Sequence, residues 1–299
     1  MEQRTLCTGF GFPEGPSEGP DGRIYVAEMG GRVVSRFTEG GEREVLAEID
    51  GAPGATAWGP DGAIYVTNSG GLAFEDGRPA GVSVPNSGGS IDRVTIDGTV
   101  TRIVLECDGD PLIAPNDLVF DPEGGLYFTD PEHGDFFTQP IQWPLGHVFW
   151  VSPDGGETRK VATDYELSNG IAIKTDGKTL LVCETLTSSI WAHEILGPGK
   201  IGPRSLYAKL PEGHMPDGCA VDSEDHLVVA AVGAGALIHF GPDGEQIERI
   251  PTEDTDITNC CFVGPDRTTL VATEGFKGRV VAFDWPRSGM IPFPERLRG

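Results

Sequence analysis

The chain of 299 residues carries 46 Asp and Glu against 22 Lys and Arg, and its net charge of −24 repels phosphate backbones and anionic membranes while attracting cations. Nucleic acid and membrane are therefore not expected as partners. Hydrophobic residues at 38% and charged residues at 23% fit a folded globular protein, and Gly 43 with Pro 24 mark many turns.

From the N-terminus, the sequence shows no basic segment followed by an apolar run, and no stretch of about 18 apolar residues occurs. A cytoplasmic protein is expected. Cys7, Cys107, Cys183, Cys219, Cys260 and Cys261 are scattered without a CxxC pair, so reduced and mostly buried thiols are expected rather than disulfides or a metal cluster. The first clear element is Gly19-Pro-Asp-Gly-Arg-Ile-Tyr-Val-Ala-Glu28. The same phrase returns as Gly59-Pro-Asp-Gly-Ala-Ile-Tyr-Val-Thr-Asn68 and as Asp121-Pro-Glu-Gly-Gly-Leu-Tyr-Phe-Thr-Asp130. Weaker copies start at Lys174, Asp222 and Gly264.

Each copy sets a Pro-Asp-Gly type turn between two short β-rich runs, which is the form of a hairpin. A third run follows in every copy, at 31–37, 89–96, 147–151, 189–195, 236–240 and 278–283, and a fourth near Glu44, Thr101, Arg159, Ser205 and Gln246. The turn acids Asp21, Asp61, Glu123, Asp176, Glu224 and Asp266 recur at intervals of 40, 62, 53, 48 and 42 residues. Four-stranded units of this length, repeated about an axis, protect their edges as a propeller. The expectation is an all-β protein, a single six-bladed β-propeller domain over residues 1–299, with four-stranded antiparallel blades around a central metal-containing channel.

Seven positions ahead of the turn acids stand Glu14, Gly54, Asn116, Asn169, Asp217 and Asn259. In a propeller such equivalent residues form a ring on the innermost strands. Two carboxylates and two amides, Glu14, Asn116, Asn169 and Asp217, suit one hard divalent cation, calcium first, with zinc, manganese or magnesium as alternatives. Asn-Gly and Asp-Gly pairs are also common turn residues, but turn use does not require four units to fill one shared position. Asn259 has an open role, since it can equally bond neighbouring backbone. A channel-bound cation can polarise a carbonyl and lower the pKa of a water. A carboxylate beside it can then accept a proton, Asp217 first, with Asp117 or an outer histidine as alternatives.

The segments Phe12-Pro-Glu-Gly-Pro, Pro115-Asn-Asp-Leu-Val-Phe, Ser168-Asn-Gly-Ile-Ala, Met215-Pro-Asp-Gly-Cys-Ala-Val-Asp222 and Ile257-Thr-Asn-Cys-Cys-Phe262 run in order along the chain. Together they resemble the senescence marker protein, gluconolactonase and luciferin-regenerating enzyme family. The resemblance implies a six-bladed propeller with one catalytic divalent cation and hydrolysis of sugar lactones or related esters. It further implies Glu14, Asn169 and Asp217 as metal ligands, Asn116 as ligand or substrate contact, and Asp217 as the proton-transfer residue. One position departs: Ala114 stands where sugar-lactonase members often carry a substrate-binding arginine.

Specificity is expected from the long intervals 69–90 and 131–146 on the same end of the channel. The second holds His133, Phe136, Phe137 and Trp143, a partly apolar lid that favours a less polar lactone or ester. Asn116, Asp117, His214 and Met215 complete the expected substrate contacts. No Gly-x-Ser-x-Gly elbow, phosphate loop, dinucleotide fingerprint or HExxH motif occurs. The functional expectation is a metal-dependent lactonase or esterase acting on a small molecule, as a monomer or small homo-oligomer. The alternatives are a phosphotriesterase or phosphofluoridate hydrolase on the same site, and a non-catalytic binding propeller with a structural calcium.

Overall fold

The structure, a computed structural model, describes residues 1–132 and 146–296. Six antiparallel sheets follow the six repeats in order. Blade 1 is built from Pro13–Glu18, Ile24–Glu28, Val33–Phe37 and Glu44–Glu48, and blade 2 from Pro53–Trp58, Ile64–Asn68, Ser90–Val94 and Val100–Val104. Blade 3 takes Leu118–Phe120, Leu126–Asp130, Gly146–Val151 and Thr158–Tyr165. Blade 4 takes Ser168–Ile173, Thr179–Glu184, Ser189–Gly197 and Ser205–Lys209, and blade 5 Met215–Val221, Leu227–Val232, Ala236–Phe240 and Gln246–Pro251. The first strand of each blade packs on the first strand of the next, and that of the sixth packs on that of the first, so the ring is closed.

The hairpin chemistry works as its residues dictate. Gly22, Gly62, Gly124 and Gly177 each adopt φ between 70° and 88° at the turn, which glycine takes without steric cost. The turn acids Asp21, Asp61 and Asp176 accept the N–H two residues on, at 3.1, 3.2 and 2.8 Å. Second strands such as Ile24–Glu28 and Leu126–Asp130 are buried along their whole length. They are covered on both faces by neighbouring blades, and this is why they read as unbroken apolar runs instead of alternating ones. Aromatic pairs bridge adjacent blades: Tyr25 meets Trp58 at 5.1 Å between blades 1 and 2, and Tyr65 meets Phe120 at 5.1 Å between blades 2 and 3.

Blade 6 is completed from the far end of the chain. Ile257–Val263, Thr269–Glu274 and Arg279–Asp284 supply three strands, and Arg4–Thr8 pairs antiparallel with Arg279–Asp284 as the fourth. Leu6, Cys7 and Phe10 thereby enter a buried cluster with Val263, Val271 and Val280. The ends of the propeller are held by strand pairing and side-chain packing rather than by a covalent link. Leu6→Ala is expected to cost about 2–4 kcal/mol, read as a Tm lower by about 5–10 °C. An unchanged Tm would mean that the first strand does not hold the ring shut.

Candidate metal centre in the channel

Five of the six inner strands take one extra residue against their partner at the same place. The register breaks between Glu14 and Ser17, Pro53 and Thr56, Ser168 and Ile171, Pro216 and Cys219, and Ile257 and Asn259. Such bulges twist a strand and re-aim its side chains. Here each bulge coincides with the ring position or its immediate neighbour. The glycines after Asn169 and Asp217 are explained by the same crowding. A Cβ on Gly170 would lie 2.1 Å from the Asp217 carbonyl oxygen, and one on Gly218 would lie 1.9 Å from Asn259 Cγ. These pairs therefore sit within strands, where only glycine lets neighbouring blades approach.

Two further devices fix the ring. At the end of the second strand of five blades, a buried side-chain oxygen accepts a backbone N–H from the segment leading to the inner strand. Glu28 accepts from Gly11 at 2.7 Å, Asn68 from Ala52 at 3.0 Å, Asp130 from Ile113 and Ala114 at 2.9 Å each, Glu184 from Glu166 at 2.8 Å and Glu274 from Asp254 at 3.3 Å. Threonine hydroxyls then tie one blade to the next. Thr67 donates to the Asn116 carbonyl, Thr129 to that of Asn169 at 2.7 Å, Thr185 to that of Pro216 at 2.9 Å and Thr258 to that of Pro13 at 2.9 Å. The peptides carrying the ring residues are thus held from both sides.

The side chains converge. Glu14, Asp117, Asn169 and Asn259 are all buried, while Asp217 and Asn116 keep some exposure. Asn259 Nδ2 in blade 6 donates across the channel to Asp117 Oδ2 in blade 3 at 3.4 Å. Burial, with the charges of Asp217 and Asp117 beside it, holds the Glu14 carboxyl well above its usual range. Burial and the charge of Asp117 do the same to Asp217, and burial pushes Asp117 up to about 7. Asn116 stands apart, since its side chain makes no hydrogen bond to a described residue and its backbone is held by Thr67 and Thr129.

Three carboxyl groups crowded together, two of them out of water, are costly unless a cation joins them. Among the described residues no group of three or more His, Cys, Asp or Glu is arranged to hold a metal by itself, so amide oxygens would have to complete the donor set. One is available: Asn169 Oδ1 is buried and has no hydrogen-bond partner. Carboxylate and amide oxygens with an orphaned buried acceptor fit a hard divalent cation.

Above the ring, a hairpin of Leu72–Glu75 and Arg78–Val82 leaves blade 2 and reaches blade 6. Phe74 packs on Phe12 at 5.6 Å between centroids, and Arg78 pairs with Asp256 at 2.8 Å and stacks over Phe276 at 4.5 Å. Interval 69–90 is therefore an ordered arm that rests on blades 1 and 6. His214 and Met215 are half-buried at the start of the inner strand of blade 5, and the His214 Nδ1 is buried without a partner. His133, Phe136, Phe137 and Trp143 lie outside the described residues. A cavity of about 180 Å³ beside the ring is lined by Asp117, Cys219, Asn259 and Cys260, and also by Met290 and residues 292–295. The six cysteines are free, five of them buried.

Residues 12–275 match the SMP-30/Gluconolactonase/LRE-like region. The chain belongs to that family. Diisopropyl-fluorophosphatase of Loligo vulgaris is 32% identical to this family member over 218 residues, 69% of this chain and 68% of that protein. Lactonase drp35 of Staphylococcus aureus (strain USA300) is 35% identical over 169 residues, 55% of this chain and 49% of the relative, so that match spans about half of the relative's length. Among solved structures, XC5397 of Xanthomonas campestris, described as a gluconolactonase, superposes with a TM-score of 0.78 at 26% identity, covering 95% of this chain and 89% of that one.

The sequence left Asn259 without a role, and the structure puts it against Asp117 and Gly218 at the centre of the cluster. Its place in the ring phase was the available signal. Thr185 was missed because it is out of phase. Thr67, Thr129 and Thr273 each precede the acid or amide that ends their strand, whereas blade 4 has Cys183 there and Thr185 after Glu184.

Proposed function

We propose that this protein is a divalent-cation-dependent hydrolase that opens lactones or related esters at the channel ring. The observation that carries the reading is the convergence of buried Glu14 and Asp117 and part-exposed Asp217 with the unpartnered buried oxygen of Asn169. Glu14, Asn169 and Asp217, with Asn116, would hold the ion; their hard oxygens favour calcium, magnesium or manganese over zinc, and calcium is the first choice. When bound, the ion supplies Lewis acidity toward a carbonyl and a water of lowered pKa.

The remaining work falls to the chain. Asp217 would hold and move the proton, with Asp117 as the alternative, since its carboxylate is fixed by the Leu118 N–H at 2.8 Å and by Asn259. Asn116, Asp117, His214 and Met215, with His133, Phe136 and Trp143, would meet the substrate. Ala114, pinned by Asp130, offers no side-chain donor to sugar hydroxyls, while Phe12 and the arm's Phe74 add an apolar ring pair. A less hydroxylated lactone or ester follows as the preferred class.

The likeness to a fluorophosphatase supports a second reading, hydrolysis at phosphorus by the same residues. A pH-indicator panel on calcium-loaded protein tests both, comparing an alkyl-substituted lactone, a sugar lactone, an aryl ester and diisopropyl fluorophosphate. The alkyl lactone is expected to give a kcat/KM at least about tenfold above that of the sugar lactone. Turnover of the phosphofluoridate alone would replace the first reading by the second. Turnover of none would remove both.

A further inference from the structure

Thr185 differs from the threonines near the ends of the second strands of blades 2, 3 and 6. Thr67, Thr129 and Thr273 accept a backbone N–H from the inner strand of their own blade, from Ala55, Asp117 and Asn259 at 2.8, 3.1 and 3.0 Å. Thr185 accepts a side-chain amide instead, Asn169 Nδ2 at 3.2 Å. Its own proton is committed elsewhere, because its other partner at 2.9 Å is the Pro216 carbonyl, which can only accept. The Thr185 hydroxyl therefore has only a lone pair to offer Asn169. That turns the NH₂ end of the amide toward Thr185, with the Asp217 carboxylate as a second acceptor beside it, and leaves Oδ1 buried and unpartnered. An amide flip would set Oδ1 against an oxygen that has no proton left to give.

We infer that Thr185 is a positioning residue that selects which end of the Asn169 amide is offered to a cation in the ring, and that it couples this choice to the peptide preceding Asp217. The inference rests on the cation-dependent reading above. Its ligand is a hard divalent cation, and calcium is the probe. Hydrogen bonds that orient a metal ligand commonly change affinity by about 10- to 100-fold when removed. Thr185→Val keeps the shape and removes both bonds, and Thr185→Ser keeps both.

The test is calorimetric titration of calcium into metal-stripped full-length protein, a readout independent of turnover. Thr185→Val is expected to bind calcium about 10- to 100-fold more weakly. Thr185→Ser should stay within about twofold of the wild type. In an Asn169→Asp background the orientation ceases to matter, because a carboxylate offers oxygen on both sides. There Thr185→Val should change affinity by no more than about twofold. If Thr185→Val does not fold, Thr185→Ala in both backgrounds carries the same comparison. Equal affinity of wild type and Thr185→Val would overturn the inference, as would an equally weak Thr185→Ser or a full loss repeated in the Asn169→Asp background. A wild-type protein that binds no divalent cation would instead overturn the functional reading on which the inference stands.

Discussion

Asp217→Asn is expected to lower kcat/KM by at least about 10³-fold and to leave the metal-free protein as stable as the wild type or more so. The two halves have one cause. Asp217 is held beside the buried charge of Asp117, and both burial and that charge disfavour its ionised form. Asparagine keeps the shape and removes the charge that metal-free protein must accommodate. It also removes half of the formal charge that would neutralise a divalent ion with Glu14, and it removes the proton acceptor. Kinetics and a thermal melt on the same preparation check both halves. Undiminished turnover would take Asp217 out of the chemistry, and a lower Tm without metal would mean that its charge is already compensated.

Calcium is expected to abolish a fall of stability with rising pH. Glu14, Asp117 and Asp217 all have carboxyl pKa values raised in the folded chain, Asp117 to about 7. A carboxyl with a raised folded pKa binds more protons folded than unfolded, so stability falls as pH rises from the unfolded value near 4 toward the folded one. Metal-free protein should therefore have a lower Tm at pH 7 than at pH 5 if these carboxyls dominate the pH dependence. A bound cation favours the ionised forms and stabilises the fold by mass action, by about 2.7 kcal/mol at a hundredfold excess over Kd. With calcium the Tm at pH 7 should rise by several degrees and the fall between pH 5 and 7 should vanish. Melts with and without calcium at the two pH values measure this directly.

Much of this arrangement was legible in the residues because propeller blades are local. A Pro-Asp-Gly turn and the runs flanking it lie within about a dozen residues, so each hairpin announces itself. The ring phase was legible for the same reason, being a fixed distance from each turn. The closure of blade 6 was not, since Arg4–Thr8 carries no turn marker and pairs with residues at the other end of the chain. The arm of 72–82 read as a Gly- and Pro-rich interval because its order comes from long-range contacts, Phe74 on Phe12 and Arg78 on Asp256. The glycines of Asn169-Gly170 and Asp217-Gly218 suggested turns, yet what demands them is the carbonyl or amide of the next blade. Thr185 escaped notice because its hydroxyl reaches the network from a position two residues away from the one its counterparts use.

The most direct measurement of the central claim is hydrolysis of an alkyl lactone by protein stripped of metal and then reconstituted with calcium, zinc, manganese or magnesium. Activity should disappear on stripping and return with at least one ion, calcium first, while Glu14→Gln should need a higher concentration of that ion for the same recovery. Turnover that persists undiminished in the stripped protein would contradict the account.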